Sequence, residues 1–166
     1  MDRIELEQQL EELHPASFAW ALGCCGRDRE FAEDVLQETY LKIFEGKALF
    51  GGRSTLKTWL FSVIRRTAAA QRRFRWMRDI RAFVLQPAAE ESAERRLILS
   101  ERAAALLRAL GSLPRRQREV LELVFYHDLT IEQAAGVIGV SLGTARVHYE
   151  RGKRRLLAGL KQEEIR

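Results

Sequence analysis

The chain has 166 residues, 46% of them hydrophobic and 31% charged, with a formal net charge of +5. That is enough apolar residue to fold one domain or two small ones, and the mixed signs of charge exclude wholesale disorder. No run approaches the ~20 apolar residues that span a bilayer, and the acidic stretch from Met1 to Leu10 lacks the basic-then-apolar pattern of a signal peptide, so no membrane insertion and a cytoplasmic location are expected.

Ala, Leu, Glu and Arg dominate, which favours helix throughout. Ile4 to Leu13 reads as a first helix, ended before Pro15, and Ala16 to Leu22 as a second. Cys24 and Cys25 are adjacent, cannot form a disulfide framework, and read as small buried hydrophobes at a helix end. Gly23 and Gly26 bracket a turn. Asp28 caps the next helix, which runs to about Phe44. Phe31, Ala32, Val35, Leu36, Tyr40, Ile43 and Phe44 form its apolar stripe, while Glu30, Asp34, Gln37, Glu38 and Lys42 occupy the opposite face. Gly46, Gly51 and Gly52 mark a loop. Ser54 or Thr55 then caps a long helix from Leu56 to about Arg78, with Trp59, Leu60, Val63, Ile64 and Thr67 inward. Arg65, Arg66, Arg72, Arg73, Arg75 and Arg78 dominate its later turns, with Phe74 and Trp76 among them.

The pattern weakens over 79–92, which reads as a flexible linker. A helix resumes from Ala93 through Leu97, Leu106, Leu107 and Leu110 and stops at Gly111. Pro114 opens another, which presents Val120, Leu121, Val124 and Phe125. Thr130 and Gln133 have capping-box spacing at the start of a helix that ends at Gly139. Ser141 caps a last helix of about 20 residues. The fold class expected is all-α, with two small helical domains, 1–78 and 93–166, joined by the 79–92 linker.

Charge is distributed unevenly. Residues 1–45 carry 11 Asp and Glu against 4 Lys and Arg, whereas residues 46–81 carry 10 Lys and Arg against Asp79 alone. The basic segment suits a polyanion, nucleic acid by default, and the acidic one a different partner. Ile131 to Arg155 has the pattern of a helix-turn-helix. Ala135 is small where the helices cross, Gly139 accepts the positive φ of the turn, and Val140 plugs the space between them. Ala145, Tyr149, Gly152 and Leu156 form an inward stripe. Thr144, Arg146, Val147, Glu150, Arg151, Arg154 and Arg155 face outward, where arginine can grip guanine edges and further cations add salt-dependent affinity. A helical hairpin with a solvated basic face is the alternative. No Cys/His metal spacing, glycine-rich phosphate loop or catalytic constellation is visible, so neither an enzyme nor a cofactor is expected.

The run Ala32-Glu33-Asp34-Val35-Leu36-Gln37-Glu38-Thr39-Tyr40-Leu41-Lys42-Ile43-Phe44, followed by Leu56-Lys57-Thr58-Trp59-Leu60, closely resembles region two of bacterial extracytoplasmic-function sigma factors. Leu113-Pro114-Arg115-Arg116-Gln117-Arg118-Glu119-Val120 and Gly143-Thr144-Ala145-Arg146 resemble region four of the same family, in the right order and spacing. The resemblance implies a factor that binds core RNA polymerase and directs it to promoter DNA. Asp34, Gln37, Glu38 and Leu41 would dock on the β′ clamp coiled coil. Lys57, Arg65, Arg66, Arg72 and Arg73 would contact the −10 element, read as a melted strand. Thr144, Arg146, Val147, Glu150, Arg151 and Arg154 would read the −35 element as duplex. The linker would thread the polymerase cleft, the second domain would sit on the β flap, and an anti-sigma factor would hold the chain inactive.

Trp59 aligns with a family tryptophan, but its spacing with Leu60 and Val63 favours core packing over base stacking. Phe74 and Trp76 are exposed by pattern, with DNA contact and partner packing both open. The chain departs from the family at Arg66 and Ala70, where Asn and Asp are usual, and at Val147 and His148, where Ser and Arg are usual. Arginine at 66 shifts contacts toward phosphate, and valine at 147 suits a thymine methyl. A plain helix-turn-helix regulator would explain Ile131 to Arg155 but leave the first domain without a role.

Overall fold

A computed structural model of the chain describes residues 2–83 and 101–164. Helices α1 (Arg3–Cys24), α2 (Arg29–Phe44) and α3 (Leu56–Phe83) form the first group. The second comprises α4 (Glu101–Gly111), α5 (Arg115–Leu121), one π-helical turn (Glu122–Tyr126), α6 (Ile131–Ile138) and α7 (Leu142–Glu164). There is no strand among the described residues. Most of the expected linker, and the expected helical start from Ala93 through Leu97, lie outside the described residues. Helix α3 continues to Phe83, past Arg78.

Local chemistry sets most helix starts. The Asp28 carboxylate accepts from Phe31 N at 3.0 Å, and the Thr55 hydroxyl, rather than Ser54, accepts from Thr58 N. Thr130 and Gln133 form a complete capping box, and Ser141 Oγ accepts from Thr144 N at 3.1 Å. Each such cap satisfies a backbone donor that the helix itself cannot.

The expected break before Pro15 is absent, because α1 runs unbroken through it. Proline removes one N–H, which orphans the Glu11 carbonyl. Both Glu11 and Pro15 are exposed, so water can satisfy that carbonyl. Leu10, Ser17, Trp20, Ala21 and Cys24 meanwhile bury one continuous face and hold both halves of the helix in line.

Trp20 is the centre of the core. It is 0% exposed, its indole N–H donates to Phe61 O at 3.0 Å, and its ring stacks on that of Phe61. Around it pack Val35, Leu36, Leu60, Ile64 and Ala68 from the first group and Val120, Leu123, Leu129, Val137 and Ile138 from the second. One hydrophobic core therefore runs through both helical groups, with α6 lying against α3.

The π turn corrects a second expectation. Val120 and Leu121 are buried as the helical spacing requires, but Phe125 is 61% exposed. The bond from His127 N to Glu122 O spans five residues, so the wider turn rotates Phe125 outward and Leu123 inward. Phe125 stacks on Tyr149 of α7. Phe44, expected in the inward stripe of α2, is also exposed. Trp20→Ala should lower stability by about 3–5 kcal/mol, the usual cost of truncating a large core aromatic, seen as a reduced midpoint in urea unfolding.

Candidate nucleic-acid interface

The outer edge of α2 presents Asp34, Gln37, Glu38 and Leu41 along a groove shared with Phe74, Arg75 and Arg78 of α3. Asp34 is exposed and paired with Arg75 at 3.0 Å. Arg75 also lies over the Phe31 ring, its guanidinium carbon 4.1 Å from the centroid, and that contact holds the groove's wall in place. Glu38 pairs with Lys42 one turn away, and Leu41 is exposed. The four residues expected to act together thus share one open surface.

The basic residues of α3 differ in exposure and in partner. Arg66 and Arg73 face solvent. Lys57 and Arg65 are instead taken up by the second helical group. Lys57 Nζ donates to His127 O at 2.6 Å. Arg65 makes a two-pronged bond to Glu119, Nε to Oε1 at 3.1 Å and Nη2 to Oε2 at 3.0 Å. Arg115 adds a third bond to the same carboxylate at 3.0 Å. Arg72 donates to the Cys24 carbonyl at the end of α1. Arg27 pairs with Glu122 at 3.5 Å, and burial pushes the Glu122 carboxyl above its ordinary value despite that cation.

His127 seals the junction. It packs edge-on against both Trp20 and Phe61 and is buried. Burial and the neighbouring Lys57 charge hold its imidazole down to about 4, against a smaller opposing effect of Asp128. None of Trp20, Phe61, Glu119 and His127 stood out in the sequence as an interface residue. For Glu119 the signal lay within the motif itself, an acid inside an arginine-rich stretch. Cys24 and Cys25 are buried there too. Burial raises both thiols, Cys25 to about 11, which leaves almost no reactive thiolate at neutral pH.

Trp59 is half-buried and tilts against Phe50 at 5.4 Å between centroids. It packs against the edge of the core, as its spacing with Leu60 and Val63 favours, and Phe50 is a neighbour that the apolar pattern missed. Phe74 and Trp76 are exposed. In the second group Ala135 is buried and Gly139 takes the left-handed φ of 70° that the helix-turn-helix requires. Ala145 and Gly152 face inward, with Gly152 close against Gln117 and Leu121. Arg146, Val147, Glu150, Arg151 and Arg154 form one exposed face of α7. The Thr144 hydroxyl shares a hydrogen bond with Ser141 at the helix start.

This arrangement pairs an acidic, partly apolar groove with a basic helix and a helix-turn-helix. The family model "Sigma-70 region 2" matches residues 10–78 and "Sigma-70, region 4" matches residues 103–156. The ECF RNA polymerase sigma factor EcfG of Rhodopseudomonas palustris is 28% identical over 146 residues, covering 87% of this chain and 78% of the relative. The chain belongs to the extracytoplasmic-function sigma factor family. SigX of Bacillus subtilis is 28% identical over 135 residues, 76% of this chain and 69% of the relative. Among solved structures, the sigma factor RpoE of Bartonella quintana, in complex with the anti-sigma factor NepR, superposes with a TM-score of 0.75 at 26% identity. It covers 95% of this chain and 97% of its own. CnrH, solved with the cytosolic domain of CnrY, shares the fold at 20% identity and a TM-score of 0.67, over 97% of this chain and 90% of its own.

The sigma factor is therefore a transcription initiation factor, acting with core RNA polymerase at promoter DNA. No helix among the described residues is long and apolar enough to cross a membrane. In this conformation region 4 lies docked on region 2. The docked His127 stays neutral well below the ordinary histidine value near 6.5, whereas the undocked one takes up a proton there. Docking is thus strongest above about pH 6.5 and weakens as the pH falls toward 4. Fluorophores on the exposed Glu12 and Lys161 should report more separated regions at about pH 5 than at about pH 7.5, and His127→Phe should flatten that dependence.

Proposed function

We propose that the sigma factor divides its work between the two regions and must open to do so. The acidic face of α2, with Asp34, Gln37, Glu38 and Leu41, docks on the β′ clamp coiled coil of core polymerase. Its open groove, with a carboxylate held in place by Arg75, supports this reading. Lys57, Arg65, Arg66, Arg72 and Arg73 contact the −10 element as the strands separate. Arginine and lysine there supply phosphate contacts, and the Phe50–Trp59 pair at the rim offers an aromatic surface for an unstacked base. On α7, Thr144, Arg146, Val147, Glu150, Arg151 and Arg154 read the −35 element in the major groove. The protein has no catalytic role of its own and works in the cytoplasm, where RNA polymerase is.

The observation that carries the need for opening is the capture of Lys57 and Arg65 by region 4. A guanidinium engaged two-pronged by Glu119 is not available to a phosphate. Polymerase binding also sets the regions apart, one on the clamp and the other on the β flap. An anti-sigma factor fits the same logic, as RpoE of Bartonella quintana was solved with one bound. Such a partner would gain by favouring an arrangement that this chain already adopts.

Run-off transcription with core polymerase on a fragmented genomic library, with sequencing of the start sites, tests the function directly. Specific starts should require both components, and failure to bind core polymerase would sink the reading. Asp34→Arg should weaken core binding about tenfold or more through like-charge or lost-charge contacts while leaving the helical spectrum intact. Glu119→Lys should act in the opposite direction: it repels Arg65 and Arg115, loosens docking, and should raise core-polymerase affinity severalfold. Equal or weaker binding would show that docking does not oppose polymerase.

A further inference from the structure

A cleft of about 340 Å³ lies where the two regions meet on the far side of α3, lined by Ala69, Arg72, Arg73 and Trp76 of region 2 and Arg115 of region 4. Its size falls within the usual range for small-molecule sites. Three arginines line it, and one of them, Arg72, also donates from Nη2 to the Cys24 carbonyl. The nearby Glu119 carboxylate already takes three bonds from Arg65 and Arg115. Arg115 Nη2 is buried without a hydrogen-bond partner among the described residues. Burial, then the charge of Arg115, lowers the affinity of Arg72 for its proton. Arg73 faces solvent. Trp76, 64% exposed, offers a free indole face at the cleft's edge.

Cations held this close in a partly buried site are costly unless an anion joins them. Guanidinium groups match the geometry of phosphate oxygens, and an exposed indole stacks on a nucleobase. We propose that this cleft binds a free nucleoside phosphate, its phosphates on Arg72, Arg73 and Arg115 and its base on Trp76, and that the bound nucleotide holds region 4 on region 2. A free nucleotide fits better than a promoter strand because the site needs Arg115. Arg115 reaches α3 only in the docked arrangement, in which Lys57 and Arg65 are closed to a strand. Once the regions separate, Arg72 and Arg73 return to the −10 element, so the same arginines serve two anions in two conformations. A ligand that binds only the docked form stabilises it, and docking in turn raises the ligand's affinity.

The test uses the full chain, titrated calorimetrically with ATP, GTP, inorganic triphosphate and a short single-stranded oligonucleotide. ATP or GTP should saturate below about 1 mM and bind about tenfold tighter than triphosphate. Trp76→Leu should remove that preference. Arg73→Gln and Arg115→Gln should each weaken binding about tenfold. Glu119→Lys retains every lining side chain but loosens docking, and it should weaken binding too. Saturating nucleotide should also draw the Glu12 and Lys161 fluorophores together. Absence of saturable binding up to about 5 mM nucleotide would overturn the site. So would equal affinity for bare triphosphate, tighter binding of the oligonucleotide than of either nucleotide, or unchanged affinity in Glu119→Lys. Trp76 and Arg73 are surface residues, so their variants should fold. The inference rests on docking alone, and its failure would leave polymerase-dependent transcription by the same protein unchanged.

Discussion

The structure turns on one carboxylate. Glu119 is 2% exposed and accepts three hydrogen bonds, two from Arg65 of region 2 and one from Arg115 of its own helix. A buried charge is tolerable only while its partners are in place, and removing one costs several kcal/mol. Docking of region 4 on region 2 is therefore close to all-or-none at this point. Arg65 either faces Glu119 or must find water or another anion. The surrounding contacts follow from that geometry. The Trp20, Phe61 and His127 rings close over the junction, Lys57 caps the His127 carbonyl, and Arg27 meets Glu122.

This joint lies where one core runs through both helical groups. Val120, Leu123, Val137 and Ile138 are buried in the same cluster as Trp20 and Ile64. Burying that apolar surface favours docking, yet the joint is also rich in paired charges, which can be matched by water or nucleic acid once the regions part. An interface of this kind is well suited to exchange of partners. Its apolar portion gives it stability, and its ionic portion fixes the register in which the two regions meet.

The exposed surfaces complement it. The helix-turn-helix face of α7 is open in the docked form, as is the acidic edge of α2, while Lys57 and Arg65 are covered. Docking thus masks these cations of α3 selectively rather than enclosing the whole protein. Departures from the family lie mainly on exposed faces. Arg66 and Val147 point outward and have no packing role that would explain their identity, so their physical effect is on what they touch.

Much of this was readable from the chain alone. Asp28, Thr130 and Ser141 announced their helices because capping is local chemistry, set by residues three apart. Ala135 and Gly139 announced the helix-turn-helix for the same reason, and the charge imbalance between residues 1–45 and 46–81 separated an acidic face from a basic one. Matching motifs then identified the family and its role. The tertiary structure decided what local spacing cannot encode. Pro15 stays inside α1 because its face is exposed and its neighbours hold the helix straight. Phe125 leaves the inward stripe because one π turn changes the period. Trp20 is the centre of the core because α1, α3 and the His127 corner converge on it, while Trp59 packs at its edge. Above all, Lys57 and Arg65 looked like free cations in a basic stretch, and only the docking of a segment more than fifty residues away shows that they are paired. Sequence determined the helices, their faces and the family; long-range packing decided which of the charges on those faces are available.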